Sequence, residues 1–530
     1  MRTWNNPTRP HPQRHPLIRM LPAVSLAIAL GAPATGHAQS RPAEPTDDAA
    51  ALVAASATIT ASDMYSRIAF LASDELRGRD TPSPGLERAA VYIAQQFREF
   101  GLEPAGDSGS YIQRYPYVRH GIDTALTTLS AIGPEGVTAL AYGTDFFIIP
   151  AVADSVAGTP VFAGSVADVQ DGFPPEVKGR IAVLEAPANL RGGILRLPEA
   201  AAAAGATALI LVLNPVVTEP LVSAVAGQLA GMGVEVPIPT FGVRRQPSET
   251  LFRAEGAELG ILLRRPEGGA GRVASHTALR MVPGVTRTES QVPNVVAMLR
   301  GSDPALRDEY VVLSAHFDHV GVGRPDAEGD SIYNGADDDA SGTSAVIEAA
   351  QAFASLPTPP RRSILFLTVS GEEKGLLGSR YFGEHPTVPL EGVVADINMD
   401  MVGRNAPDTL VALGQEYTTL GPLAHQIAEG TPDIGFHIIA DPDPSENAFF
   451  RSDHIVFVRN KIPTIFFTAW LHEDYHQPSD EVEKIDVEKA ARVGRLVFRL
   501  ADRVAEAPEP PAWVEGGWDK VQEILRAGRR

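Results

Sequence analysis

Between Asn334 and Gly342 the chain reads N-G-A-D-D-D-A-S-G, three consecutive aspartates among glycine, alanine and serine. Further on, S-G-E-E-K-G sets Glu372 beside Glu373. Like charges packed side by side repel and are costly to desolvate, so carboxylates clustered near apolar segments call for a neutralising partner, most simply divalent cations. Taken alone, each motif reads equally well as an acidic surface turn.

Other polar clusters follow apolar runs. After Y-V-V-L-S-A come His316, Phe317, Asp318 and His319; after V-V-A-D-I-N-M comes Asp400; after I-P-T-I-F-F-T come His472, Glu473 and His476. His316 and Asp318, two apart, share a face if the strand continues, and a carboxylate so placed holds an imidazole in one tautomer. Two histidines and three carboxylates suffice for two zinc ions bridged by one carboxylate, and a further glutamate would serve as general base. A rival lies in the same sequence. His472-Glu473-Asp474-Tyr475-His476 is a literal H-E-x-x-H, which on a helix binds one zinc. The preceding run reads as a strand and Pro478 follows closely, so no helix is expected there, and His472 and Glu473 become neighbours of a ligand, His476.

The elements that must present these residues are legible as periodicity. From Val292 onward, apolar strands alternate with helices, from Ser341 to about Ser355, after Gly375, and from Asp486 to about Ala505. This predicts a three-layer α/β/α sandwich around a mainly parallel sheet, whose strand ends carry every cluster above. Residues from Ala61 to about Gln113 read as helical, with Gly101 as a stop. From about Ala131 to Arg272 the texture changes to short strands rich in valine, alanine and glycine, without a histidine, so this separate smaller α/β domain is expected to carry no chemistry.

The composition limits partners. The 530 residues are 44% hydrophobic and 21% charged, an ordinary balance for globular domains. A formal charge of -20 argues against nucleic acid as a partner, because phosphate binding needs a basic face. With no cysteine, disulfides are excluded and any metal must use nitrogen and oxygen ligands. Arg2, Arg9, Arg14 and Arg19 precede an apolar stretch from Leu21 to Leu30 and then the small residues Gly36 and Ala38, the layout of a secretory signal peptide. That stretch is shorter than the roughly 20 residues a membrane span needs, so export is expected, with no membrane insertion after signal removal. The expected destination is periplasmic or extracellular.

With these residues in hand, the chain resembles the co-catalytic di-zinc aminopeptidase family that includes bacterial leucyl aminopeptidases and, more distantly, glutamate carboxypeptidase II. The motifs are S-A-H-F-D-H-V-G, N-G-A-D-D-D-A-S-G-T, S-G-E-E-K-G-L-L-G-S, I-N-M-D-M-V-G and D-Y-H-Q-P-S-D. The resemblance implies two Zn2+ per chain, with His316 and Asp400 as terminal ligands of one, Glu373 and His476 of the other, and Asp338 as the bridge. It further implies Glu372 as general base, Asp318 orienting His316, a cis peptide after Asp338, and peptide substrates cut at the N-terminus. His319 reads as a pocket or packing residue in preference to a third ligand near His316, Asp453 and His454 as lining the pocket from a loop, and Tyr475 as either an oxyanion donor or a packed tyrosine. The segment between resembles a protease-associated domain by K-G-R-I-A-V-L, its alanine-rich helix and I-P-T-F. The expected organisation is a signal peptide at 1–38, a linker at 39–60, a peptidase domain at 61–130 and 276–508, the inserted domain at 131–275 and a tail at 509–530. Alternatives on the same scaffold are a glutaminyl-cyclase-like transferase, a carboxypeptidase and a non-catalytic binding protein.

Overall fold

The computed structural model describes residues 47–149, 155–186, 196–215, 236–265, 269–444 and 448–527. The main sheet is built from β1 (Glu103–Pro104), β2 (Ile112–Ile122), β3 (Val285–Leu299), β4 (Tyr310–His316), β5 (Ser363–Val369), β6 (Val393–Met399), β7 (Thr409–Leu413), β8 (His437–Ile439) and β9 (Thr464–Thr468). Their order is β1-β3-β5-β4-β6-β9-β7-β8, with β2 paired to β3. The central four, β5, β4, β6 and β9, are parallel. Antiparallel β3 and β7 flank them.

The central strands are apolar throughout because both their faces are covered. Val311, Leu313, Ala315, Ile364 and Phe366 enter one core. The alternate residues Val312, Leu365, Leu367 and Val369 enter another. Period-two alternation thus sorts side chains between two cores instead of between core and water. Around the sheet lie α1 (Ala61–Leu71), α2 (Pro84–Glu99), α3 (Gly342–Ala354), α4 (Leu377–Glu384), α5 (Leu420–Gly430), α6 (His454–Arg459), α7 (Val487–Glu506) and α8 (Gly517–Ala527). Helices α1, α2, α3, α5 and α7 contribute to the first core. Phe382 of α4 and Phe457 of α6 contribute to the second, which completes three layers. Three side-chain caps start helices here: Thr60 accepts from Asp63 N at 3.1 Å, Ser83 from Leu86 N at 3.0 Å and Asp486 from Lys489 N at 2.9 Å. A buried ion pair of 2.5 Å joins Arg67 of α1 to Glu348 of α3 across 281 residues of sequence.

The helical reading from Ala61 to Gln113 is corrected in two places. An irregular turn at Asp74–Arg79, with Gly78 at φ +67°, separates α1 from α2; the helix then ends at Glu99, and Gly101, at φ +78°, is the stop that the sequence predicts. Ile112–Ile122 is a strand instead. Its residues alternate between buried and exposed positions, and tyrosines, isoleucine and valine suit a half-covered sheet better than a helix.

β2 and β3 leave the main sheet as an antiparallel ribbon pairing Ile112–Ile122 with Val285–Val295. Beyond the ribbon lie two further sheets. One has six strands in the order Arg272–Val273, Pro160–Ser165, Ile181–Glu185, Ala208–Leu213, Thr240–Arg244 and Phe146–Ile149, parallel through its centre. The other has four antiparallel strands, Gly136–Leu140, Thr128–Gly133, Ala278–Val282 and Val156–Gly158. Two apolar clusters fill this part of the molecule. Helix α8 lies in the segment that the sequence reading left as a tail.

Candidate metal centre

Main-chain turns at the ends of the parallel strands bring the chemistry together. His316 is the last residue of β4, Asp400 follows β6, and Glu372 and Glu373 follow β5. Asp338 sits in the turn ahead of α3, and His476 in the turns after β9. The small residues around the aspartates have a steric cause. Gly335 has φ +59°, and a Cβ there would lie 2.2 Å from Asp338 O and 2.5 Å from the His319 ring; one on Gly342 would lie 2.4 Å from Asp339 Oδ1. The Asp338–Asp339 peptide is cis, as the resemblance implied.

Asp338 faces both ways. Its Oδ1 lies 3.2 Å from His316 Nε2, which is also 3.5 Å from Asp400 Oδ1. Its Oδ2 lies 3.2 Å from His476 Nε2, which is 3.0 Å from Glu373 Oε2. Donor atoms of His316, Asp338 and Asp400 form one group within 4.8 Å of one another, and those of His319, Asp338, Glu373 and His476 form a second. Asp338 is common to both. Buried polar atoms ordinarily find hydrogen bonds. Here Glu373 Oε1, Asp400 Oδ1 and both ring nitrogens of His319 have none. Imidazole nitrogens and carboxylate oxygens converging without hydrogen bonds fit zinc.

The acids differ in character. Burial and repulsion from Asp338 push Glu373 up, but the neighbouring His319 and His476 bring it down to about 2. Burial likewise opposes charge on His476, yet Asp338 and Glu373 raise it to about 10. Glu372 is raised well above the usual carboxylate range, first by burial and then by repulsion from Glu373, Asp453 and Asp400, which outweigh His316. The two adjacent glutamates are therefore pushed in opposite directions, Glu373 toward the anion and Glu372 toward the protonated form.

The outer acids are spent largely on main-chain donors. Asp339 accepts from His316 N at 3.3 Å, Gly342 N at 2.8 Å and Met401 N at 3.1 Å, so it ties the ends of β4 and β6 to the start of α3. Asp480 accepts from Asp337 N and Asp338 N, each at 3.1 Å. Asp337 accepts from Gly403 N at 2.6 Å. Asp318 accepts from Thr81 Oγ1 at 3.0 Å and from Glu372 N at 3.2 Å. Its carboxylate stands 3.7 Å from His316 Nδ1, whereas its main-chain carbonyl oxygen lies at 3.2 Å. The oxygen of Asp318 nearest to His316 Nδ1 is therefore main chain, and the carboxylate reaches the turn that carries Glu372.

Several readings change. His319 is fully buried with Nδ1 at 2.8 Å from Glu373, inside a donor group instead of a pocket wall. Its signal was present as the second histidine of H-F-D-H. His454 opens α6, is buried against Phe449 and Phe466, and is held down at about 3 by burial. Asp453 is buried as well and is pushed up to about 7 by burial above all. Arg451 and Ser452 line the pocket instead, together with Tyr475, whose hydroxyl accepts from Arg451 Nη2 at 3.1 Å. Met401, Phe466, Trp470 and Leu471 give that pocket an apolar wall beside Asp338, Glu372 and Asp400. The H-E-x-x-H segment is a run of turns, with His476 at φ +54° and His472 Nε2 directed at Asp337 Oδ2, 3.3 Å away. Arg79, unmarked by any motif, donates to Phe317 O at 2.7 Å, Asn334 O at 2.7 Å and Gly335 O at 3.0 Å, between and beside the donor residues.

Residues 294–501 match the model of peptidase family M28. That stretch carries a peptidase family M28 domain. Aminopeptidase YwaD of Bacillus subtilis (strain 168) is 25% identical over 362 residues, covering 65% of this chain and 67% of that protein. "Probable leucine aminopeptidase" of Arthroderma benhamiae is 28% identical over 217 residues, which span 39% of this chain and 58% of that one. Among solved structures, the aminopeptidase of Aneurinibacillus sp. strain AM-1 shares the fold with a TM-score of 0.53 at 21% identity, covering 86% of this chain and 96% of its own. The M28 domain is that of a zinc-dependent peptidase, a hydrolase.

Proposed function

We propose that the protein is an exported di-zinc aminopeptidase that removes N-terminal residues from peptides, with Glu372 as general base. The observation that carries the reading is the division of Asp338 between two donor groups, one oxygen 3.2 Å from His316 and the other 3.2 Å from His476. His316, Asp338 and Asp400 would hold one zinc; Asp338, Glu373 and His476, with His319 beside them, would hold the other. Zinc bound there supplies Lewis acidity toward a carbonyl oxygen and makes water more acidic. Glu372 takes the proton of the attacking water and passes it to the leaving amine, a role that its raised affinity for protons suits. Asp318 positions it by accepting from its main-chain N–H. The apolar wall receives the side chain of the N-terminal residue and excludes water from the reacting bond. The aminopeptidases named above support cleavage at a free N-terminus, and the surplus of carboxylates suits an ammonium group.

The test is turnover of aminoacyl chromogenic substrates by the purified protein, with zinc counted per chain. Two zinc ions, abolition of activity by chelator and no cleavage of N-terminally blocked peptides are expected. Glu372→Gln should retain both ions and lose turnover by about 100-fold or more. Equal cleavage of blocked and free peptides, or one zinc per chain, would overturn the reading. Export rests on residues 1–38, which lie outside the described residues; recovery of the protein with Met1 intact would count against it. The inserted sheets are read as a protease-associated domain, supported by the strand and helix order of Ile181–Glu185, Arg196–Ala203 and Ala208–Leu213.

A further inference from the structure

The family match ends at residue 501, yet the chain beyond it packs against residues that stand behind the wall of the pocket. Helix α8 is amphipathic: Val521 is fully buried, Trp518 and Leu525 pack in the same cluster, and Asp519, Lys520, Glu523 and Arg526 face out. The segment before it is pinned by main-chain hydrogen bonds. Thr419 N donates to Ala512 O at 2.9 Å and Val514 N to Tyr417 O at 3.0 Å, while Trp513 Nε1 donates to Lys461 O at 2.9 Å. Gly517 comes so close that a Cβ on it would lie 2.4 Å from Tyr417 O. The segment therefore grips Tyr417 from behind.

From Tyr417 an aromatic series leads to the pocket. The Tyr417 ring meets Phe449 at 5.7 Å between centroids, Phe449 meets His454 at 5.3 Å, and His454 meets Phe466 at 4.8 Å. Phe466 is a wall of the pocket. Phe449 also joins Ala448, Phe466 and Trp470 in one apolar cluster, and all three of these line the pocket. Phe449 thus belongs at once to the cluster under α8 and to the cluster that forms the wall. Packed interiors pass on displacements because they hold few voids, and an apolar pocket discriminates side chains by how well its walls fit.

We infer that the segment from Ala512 to Ala527 is a specificity element. By fixing Tyr417 and Phe449 it sets the width of the pocket that takes the apolar side chain of the substrate's N-terminal residue, without touching the reacting atoms. The inference rests on the aminopeptidase reading. Its test compares leucyl and alanyl p-nitroanilides as substrates of wild type, Trp518→Ala and Tyr417→Leu. Each variant should keep two zinc ions and a kcat on the alanyl substrate within about twofold of wild type. The leucyl-to-alanyl ratio of kcat/KM should fall about tenfold, mainly through a higher KM for the leucyl substrate. Tyr417→Leu leaves the C-terminal segment intact, so it decides the matter if Trp518→Ala fails to fold. A folded variant with the wild-type ratio, or one whose kcat falls equally on both substrates, overturns the inference alone. Wild type inert on both substrates overturns the aminopeptidase reading and this inference with it.

Discussion

Arg79 shows how one side chain fixes several others without touching any of them. Its guanidinium is fully buried and donates to the carbonyls of Leu71, Phe317, Asn334 and Gly335. Phe317 lies between His316 and Asp318, and Gly335 lies three residues ahead of Asp338. Burial brings its pKa down to about 10, against the pull of Asp318, Asp338, Asp339 and Asp480, so the cation persists at neutral pH. Replacing Arg79 with methionine leaves four carbonyls without their donor and should cost about 3 to 5 kcal/mol. Urea unfolding measures that cost, and zinc should be released at lower chelator concentration. Arg79→Lys keeps the charge but not the planar fork, and should fall between the two. Wild-type stability in Arg79→Met would refute this role. Nothing in the sequence marks Arg79, because its partners are main-chain oxygens and any residue supplies those. The side chains proposed as ligands were legible because metal binding restricts their types.

The turn segment after β9 gains its rigidity from outside itself. Asn405 Nδ2 donates to the carbonyls of Ala469, Trp470 and Leu471 at 2.8, 3.1 and 3.2 Å. Asp474 accepts from Arg404 at 2.7 Å and from Ser479 and Lys484, both at 2.6 Å. These bonds hold His476 and Tyr475 in an unwound segment where a helix would supply its own. Asp474→Asn removes the charge from three bonds and should cost about 1 to 3 kcal/mol, read as a lower melting temperature. It should also weaken zinc binding through His476, while Glu473→Gln, at an exposed neighbouring position, leaves both unchanged. Equal effects of the two substitutions would mean that the segment is not anchored at Asp474. The strands that carry the site were readable as apolar runs, since burial on both faces leaves a plain signal. The strand at Ile112–Ile122 was not, because it follows long helical periodicity and shows its alternation only once its partner Val285–Val295 is known. Helix α8 was missed for a related reason: eleven residues with a narrow apolar stripe give little periodicity to read.

At the scale of the whole molecule, the ribbon of β2 and β3 is the connection that matters. Ile122 and Val285 are register partners at its far end, so the 162 residues between them can in principle be replaced by a tight turn. At its near end Tyr115 donates to Ser370 O at 2.9 Å, two residues ahead of Glu372. On the proposed di-zinc aminopeptidase reading, a protein closed between Ile122 and Val285 should keep that contact, its two zinc ions and at least half of its turnover of aminoacyl p-nitroanilides. Loss of that turnover in a folded, zinc-loaded protein would make the inserted sheets part of the catalytic apparatus.

The Arg67–Glu348 ion pair has a consequence in time as well as in space. Helices α1 and α2 leave the ribosome early, but the strands and helices that cover them follow only after the inserted sheets. Closing a contact across 281 residues must await that synthesis, whereas each inserted sheet pairs strands from one continuous stretch of chain. The inserted part should therefore acquire its structure first while the early helices stay exposed to chaperones and proteases. Pulse-labelled hydrogen exchange during refolding should show amides of Ile181–Glu185 and Ala208–Leu213 protected before those of α1; the reverse order would contradict it.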